Sequence, residues 1–327
     1  MAGLAERDQV GVREDLANYI ENIDVKNTPF STRVKKGKKL VNVKADWQVD
    51  AYPEVRMDGV LDGKDAEAWE DLSARGELTG RAQKFWRLPH VSDFAQNVSD
   101  VAGLGQKREM AEQIRKAFVM LKRDMEARFC ASDLEAQEDT GSLPNETRSL
   151  GVWLQSTAQT LYPVPADFRT PAASIDTTAS ASVVESTLKT VLKSVYGQVG
   201  ASQVYDFFVG ADLKAQVSTF SAFEASGVTD LRRVAATATH VKQMVDMVSN
   251  DFGVMRLHLS NFIAKDTAYG AFRGFMLDMD KIELRWNRMP RVDPQKDKGG
   301  GPRSIVDAIV MLVVKNPLGH AKFAATS

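Results

Sequence analysis

Val91-Ser92-Asp93-Phe94-Ala95-Gln96-Asn97-Val98 reads as an extended segment that passes two spaced glycines, Gly103 and Gly105, and enters a long charged helix. From Gln106 to Cys130 the apolar residues Met110, Ile114, Phe118, Leu121, Met125 and Phe129 recur at steps of three and four, which puts them on one helical face. Lys107, Arg108, Glu112, Lys116, Lys122, Arg123 and Glu126 fall largely on the other faces. An uninterrupted helix of this span is roughly 37 Å long at about 1.5 Å per residue, longer than an average globular helix. Such a helix can brace a flat, elongated molecule.

Upstream, residues 1–39 begin polar and end in the basic run Arg33, Lys35, Lys36, Lys38 and Lys39, which reads as an arm. Val41, Val43, Ala45, Trp47, Val49 and Ala51 alternate with polar residues, the period of a half-buried strand, and a second strand-like run covers Arg81 to Val91. Tyr52 to Gly80 between them is charged and glycine-rich, with Trp69 its main large apolar residue, so the two strands predict an extended hairpin loop. Downstream, Ser132 to Thr147 is acidic and turn-rich, Arg148 to Trp153 re-enters the fold, and Thr157 to Ser182 reads as a surface crossing. Val184, Leu188, Val191, Leu192, Val195 and Val199 form a helical stripe closed by Gly200. Tyr205 to Val209 reads as a buried strand and Asp212 to Phe223 as a helix. Met244 to Val248 and Val254 to Leu259 flank a hairpin turn at Asp251-Phe252-Gly253. Asp280 to Trp286 alternates, Pro290 to Pro302 is a polar Pro/Gly segment, and Ile305 to Val314 is an apolar strand. The fold class is α+β.

A chain of 327 residues, 43% hydrophobic and 26% charged, buries a real core in about two lobes. Its net charge of -1 argues against general nucleic-acid binding, which needs an excess of Lys and Arg; the basic run at Arg33 to Lys39 is more simply a solvated face. One cysteine, Cys130, forms no internal disulfide and reads as a packed thiol. No stretch is long and apolar enough for a membrane span, and the start lacks the apolar core of a signal peptide. Asp251-Phe252-Gly253 spells a kinase tripeptide without its phosphate loop or catalytic loop, so it is a turn. Lys298-Gly299-Gly300-Gly301-Pro302 lacks the phosphate-loop pattern and reads as a flexible turn. His90, His240, His258 and His320 are scattered without metal-ligand spacing. No catalytic, cofactor-binding or metal-binding residue is assigned. Trp69, in a charged tip, is explained either by burial against a neighbouring subunit or by local packing.

Features in a fixed order carry a resemblance. They are Asn27-Thr28-Pro29-Phe30, Trp47-Gln48-Val49-Asp50, Asn97-Val98-Ser99 with the glycine pair, Gln113, and Leu121-Lys122-Arg123-Asp124-Met125-Glu126. Arg148 to Trp153, Asp251-Phe252-Gly253, Leu277-Asp278, Val313-Val314-Lys315-Asn316-Pro317 and His320 follow. On these the chain resembles a major capsid protein of a tailed bacteriophage, of the Hong Kong-type capsid fold, along most of its length. Lys298 to Arg303 departs from the pattern, being more glycine-rich than the polar turn the family tends to carry there.

The resemblance implies an N-terminal arm (1–39), an extended β-hairpin loop (40–91) and a peripheral domain (92–179) with a spine helix at 106–130. It further implies an axial domain (180–275) and return strands to the peripheral domain (276–327). It implies inter-subunit contacts at Phe30, Trp47, Asp62, Lys64, Glu67, Trp69 and Arg75, and a hinge at Gly103 and Gly105. Covalent welding through Lys64 is not expected, since it also needs a positioned Glu and Asn in a dry pocket. With Met1 as its start, the chain is expected to keep its N-terminal segment. The implied function is self-assembly, without enzymatic activity, into hexamers and pentamers of an icosahedral virion shell formed in the bacterial cytoplasm. Its partners would be further copies of itself, the portal, scaffolding or cement proteins, and double-stranded DNA held by confinement. Two competing readings are a cellular nanocompartment shell of the same fold and a cytosolic α+β enzyme.

Overall fold

The computed structural model describes residues 27–52, 55–57, 59–63, 65, 75–97, 108–178, 182–200, 203–218, 220, 247–263 and 272–324. The expected hinge at Gly103 and Gly105, the contacts at Lys64, Glu67 and Trp69, residues 1–26 of the arm, and His240 lie outside them. The chain divides into two units. One contains Trp86–Leu121 and Pro290–Asp307; the other contains Asn27–Phe85, Lys122–Met289 and Ala308–Ser327.

In the larger unit, strands β2 (Lys44–Val49) and β3 (Gly76–Arg81) pair antiparallel from Lys44↔Arg81 to Val49↔Gly76. The alternation expected along β2 is present, with its odd positions half-buried. Val41 and Val43 are exposed instead, and the partner strand lies upstream of the expected Arg81–Val91. The break comes at Ala82, whose amide bonds Val43 O (2.8 Å) and ends the ladder; the chain then forms β4 (Gln83–Arg87) in a different sheet.

That sheet is ordered β1 (Lys35–Lys36), β10 (Ile282–Gln295), β11 (Arg303–Val314), β4. Strand β10 runs on through Pro290 and Pro294, expected to be a loop. The two-residue β1 pairs only with Glu283 and Leu284, and prolines are tolerated where one edge of a strand has no neighbour needing its N–H.

The six-stranded sheet has the order β5 (Ile175–Asp176), β12 (Ala321–Ala324), β9 (Phe272–Leu277), β6 (Gln203–Val209), β8 (Gly253–Leu259), β7 (Met247–Asn250). It mixes parallel (β6/β8, β12/β5) and antiparallel pairs, as an α+β chain should. Strand β12 has no sequence-based counterpart. It runs in this sheet, between β5 and β9, rather than beside β11.

On β6, Tyr205, Phe207 and Val209 join the core with Leu188, Val191, Leu192 and Val195 of helix α5 (Glu185–Val199) and Leu213 of α6 (Ala211–Val217). Phe208, between them in sequence, packs against Phe30, 5.5 Å between ring centroids. This is the period of two acting on a strand buried on both faces. Gly200 closes α5 in the left-handed region (φ 72°).

The long helix α3 is Glu109–Phe129, about 31 Å at 1.5 Å per residue. Leu121, Met125 and Phe129 are buried as the stripe predicts, while Ile114 and Phe118 are half-buried. Upstream, Asp93–Asn97 is a short helix, α2, rather than extended: the Ser92 carbonyl accepts from the Gln96 amide and its hydroxyl from Ala95, an N-cap that a Ser-Asp pair favours. The crossing after Thr157 is more deeply packed than a surface linker, since Val164, Phe168, Thr170 and Ser174 are buried.

Candidate functional site

The hairpin is fixed where it meets the rest of its unit, and its described residues beyond that are exposed. Trp47 packs on Trp153 (5.6 Å) with the Arg285 guanidinium 5.8 Å from its ring, and Leu78 is fully buried. A Cβ on Gly80 would lie 2.8 Å from Met311 Sδ, so β3 is pressed closely onto β11. Arg81 binds Asn145 (2.8 Å), the Tyr162 hydroxyl (2.8 Å) and Glu138. Past the last pair, Asp50 meets Arg75 at 3.1 Å. Beyond it Tyr52, Val55, Met57, Val60 and Leu61 are each at least 76% exposed.

Of the residues expected to reach a neighbour, Asp62 lies in the exposed tip with Gly63 at φ 78°, and Arg75 is exposed beside Asp50. Trp47 is half-buried within its own unit. Phe30 is 0% exposed in the single chain, packed against Phe129 and Phe208. Five large apolar side chains within ten positions of a charged loop are the signal the sequence carries for this exposed group.

Glu126, expected on a solvent face, is 0% exposed. Its carboxylate accepts from the amides of Phe30 (2.9 Å) and Ser31 (2.7 Å) and from the Ser31 hydroxyl, at the start of helix α1 (Pro29–Arg33). Pro29 has no N–H to donate, and Glu126 takes up the next two. Burial raises its pKa, and the bonds from Ser31 and Phe30 oppose that rise. Arg148 is buried between the Glu135 carboxylate (3.0 Å), the Tyr162 carbonyl (3.1 Å) and the Trp153 ring (4.6 Å). Burial lowers its pKa, with Glu135 pulling the other way.

In the smaller unit the glycine turn is organised, not loose. Asp297 Oδ1 accepts from the amides of Gly299 (2.8 Å), Gly300 (3.1 Å) and Gly301 (3.1 Å), which lower its pKa. Val91 donates to Pro302 O and Ser304 to Pro89 O, both at 3.1 Å.

Cys130 is buried and its pKa pushed well up by burial and by Glu126, which makes it a packing thiol. His320 is buried and its pKa lowered to about 3 by burial and the Lys281 charge; its Nδ1 accepts from the Asp278 amide (3.1 Å). His258 contacts Asp206 at 2.7 Å across paired strands, a pairing invisible to sequence spacing. Asp251 in the turn pairs with Lys189 (3.1 Å). Among the described residues no cluster of His, Cys, Asp or Glu could hold a metal, and no helix is long and apolar enough to cross a membrane.

A family model described as SU10 major capsid protein matches residues 4–327. The chain is similar in structure to the capsid of the cyanophage P-SCSP1u (TM-score 0.61, 11% identity, 99% of this chain and 97% of that one). It is similar to the capsid of a native GTA particle (TM-score 0.61, 12% identity, 100% and 99%) and to Mycobacterium phage Bobi (TM-score 0.60, 8% identity, 100% of both). At these identities the likeness is one of fold. A comparison with curated proteins finds no match.

Proposed function

We propose, from the premise that this chain belongs to the SU10 major capsid protein family, that it forms hexamers and pentamers which close an icosahedral phage head around double-stranded DNA. The chain is a structural capsid shell protein of the Hong Kong-type fold, not an enzyme, and its place is the virion capsid. The observation that carries the finer reading is the loop: Tyr52, Val55, Met57, Val60 and Leu61 are almost wholly exposed beyond a firmly packed ladder. Exposed apolar groups gathered in one loop gain only by burial against another molecule, and a second copy is the partner a shell supplies. Contacts that repeat around an axis close rings, and many modest interfaces together hold a shell. In this reading residues 1–39 are the arm, 40–91 the extended loop, 92–179 the peripheral domain with the spine helix, 180–275 the axial domain, and 276–327 the return strands to the peripheral domain. Asp62, Lys64, Glu67, Trp69 and Arg75 share the loop's contact, and Gly103 and Gly105 act as a hinge during shell expansion. Assembly in the host cytoplasm with a portal and with scaffolding or cement proteins belongs to the same reading. A near-neutral chain suits DNA confined by a wall instead of gripped by it.

The test is negative-stain microscopy and size-exclusion chromatography of the chain expressed alone and with its neighbouring genes. Closed shells or capsomer-sized rings, with nuclease-protected DNA in the co-expressed sample, are expected. A monomer under every condition would overturn the proposal, and unchanged expansion after Gly103→Ala with Gly105→Ala would remove the hinge.

A further inference from the structure

Charge along this chain is segregated. The net is only -1, yet Asn27 to Ala45 holds six cations and no carboxylate, and Ser132 to Thr147 holds five carboxylates and no cation. The first stretch is held along one edge of the four-stranded sheet. Lys35 and Lys36 pair with Glu283 and Leu284 of β10, Gly37 donates to Leu284 O (2.9 Å) and Leu40 to Trp286 O (3.1 Å). Val34 and Leu40 are buried, which pins the strip at both ends, and Lys35 is engaged by Asp280. Arg33, Lys36, Lys38 and Lys39 are exposed. The second stretch is tied to the other edge of the same sheet: the Thr147 amide donates to Gln83 Oε1 of β4 (3.1 Å), and its hydroxyl accepts from the Leu312 amide of β11 (3.2 Å). There Gln137 and Glu146 bridge, and the tip turns through Gly141 at φ 81°.

Beside that bridge opens a groove of about 570 Å³, lined by Asp133, Glu135, Glu138 and Glu146 with Leu134 and Leu161 as its apolar wall. Glu135, Glu138 and Glu146 lean on the guanidiniums of Arg148, Arg81 and Arg128, whose side chains are at most 14% exposed, whereas the three glutamate side chains are 27% to 45% exposed. Asp133 is exposed as well. The carboxylates are therefore the outer layer and the cations the inner one. A lysine matches such a groove, its stem along Leu134 and Leu161 and its ammonium among oxygen acceptors. We propose that the groove of one copy of this chain receives the basic edge of a second copy, with Lys36, Lys38 and Lys39 facing the carboxylates. Charge complementarity selects the occupant: like charges crowded on one edge repel, and each copy carries the matching surface at the opposite edge of its sheet. A contact between two different surfaces of one chain repeats head to tail, the kind that closes rings. The inference rests on the reading that the chain assembles with itself and adds which surfaces meet.

Charge reversal tests it. Lys36→Glu, Lys38→Glu and Lys39→Glu together make the edge acidic; Asp133→Lys with Thr140→Lys, both at exposed positions lining the groove, makes the groove basic. Each set alone is expected to leave the melting temperature of the unassembled chain unchanged and to raise the concentration needed for shells or capsomers about tenfold or more. One chain carrying both sets restores opposite charges at every contact and is expected to assemble within about threefold of the wild-type concentration. An equimolar mixture of the two sets on separate chains offers complementary contacts in alternation, and its recovery decides the matter should the combined chain disturb folding. Either set assembling at the wild-type concentration, or no recovery in both the combined chain and the mixture, would overturn this contact alone. Edge-reversed shells that form normally but lose nuclease-protected DNA would overturn it in favour of a phosphate backbone on the lysines. A wild type that never assembles would remove self-assembly, and with it both readings.

Discussion

The carboxylate of Glu126 accepts a 2.9 Å hydrogen bond from the amide of Phe30, 96 residues earlier, and Phe129, one turn further along the same helix, packs on the Phe30 ring at 6.3 Å. One helical face therefore both caps α1 and buries its aromatic anchor. Glu126→Ala strips one buried and one partly buried amide of their acceptor and is expected to cost about 3 kcal/mol; Glu126→Gln keeps one acceptor and should cost about 1 kcal/mol. The folded pKa is raised, so the folded state binds more protons than the unfolded one above the ordinary value of 4.5. Stability from this residue is full below that value and falls as pH rises through the folded pKa. Urea unfolding of the unassembled chain should show that decline in the wild type and a flatter profile in Glu126→Gln.

His320 works in the opposite direction. Its folded pKa of about 3 lies below the unfolded 6.5, so the unfolded state takes up the proton first and stability falls as pH drops from 6.5 towards 3. His320→Asn offers an oxygen to the Asp278 amide and should cost about 1 kcal/mol at neutral pH through the lost volume. The acid limb of its unfolding profile should be shallower than that of the wild type, and an unchanged limb would assign acid sensitivity elsewhere.

Gly301 shows why the glycine turn is not interchangeable with another polar turn. It sits at φ 101°, and a Cβ there would lie 2.2 Å from the Val91 carbonyl oxygen. Gly301→Ala is expected to destabilise by about 2 kcal/mol or more and to speed hydrogen exchange at Val91 and Ser304, whose amides bridge the two segments. Gly63→Ala provides the contrast: φ is 78°, but no atom lies within 4 Å, so only backbone strain of about 1 kcal/mol is expected.

Where the chain announced its structure, it did so through periodicity. The stripe of α3 from Leu121 to Phe129, the alternation of β2, the β7–β8 hairpin and the Gly200 cap all follow from which neighbours share a face. What stayed hidden depends on partners distant in sequence. Glu126 looks solvated until the amides of Phe30 and Ser31 are beside it, and Arg148 until Glu135 and Tyr162 surround it. Strand β12 is four residues long and signals itself only through its pairing with β9 and β5.

Arg148 holds Tyr162, a non-glycine residue at φ 51°, by its carbonyl while stacking on Trp153. Arg148→Ala leaves Glu135 without its buried cation and is expected to cost about 4 kcal/mol. Arg148→Lys retains the charge but not the planar fork and should recover less than half of that loss. Denaturant midpoints of the two variants, measured on the unassembled chain, check the order.

The loop separates folding from assembly. Met57 and Leu61 are 93% and 76% exposed, so Met57→Ser with Leu61→Ser removes nothing that the single chain buries, and the melting temperature of the unassembled protein should stay within about 2 °C of the wild type. If a second copy covers these side chains, each forfeits about 1 kcal/mol or more of burial per contact, and about 1.4 kcal/mol is already tenfold in concentration. Light scattering against protein concentration should therefore show assembly displaced at least tenfold upwards. Equal thresholds with equal melting temperatures would mean that the exposed apolar tip is not where copies of this chain meet.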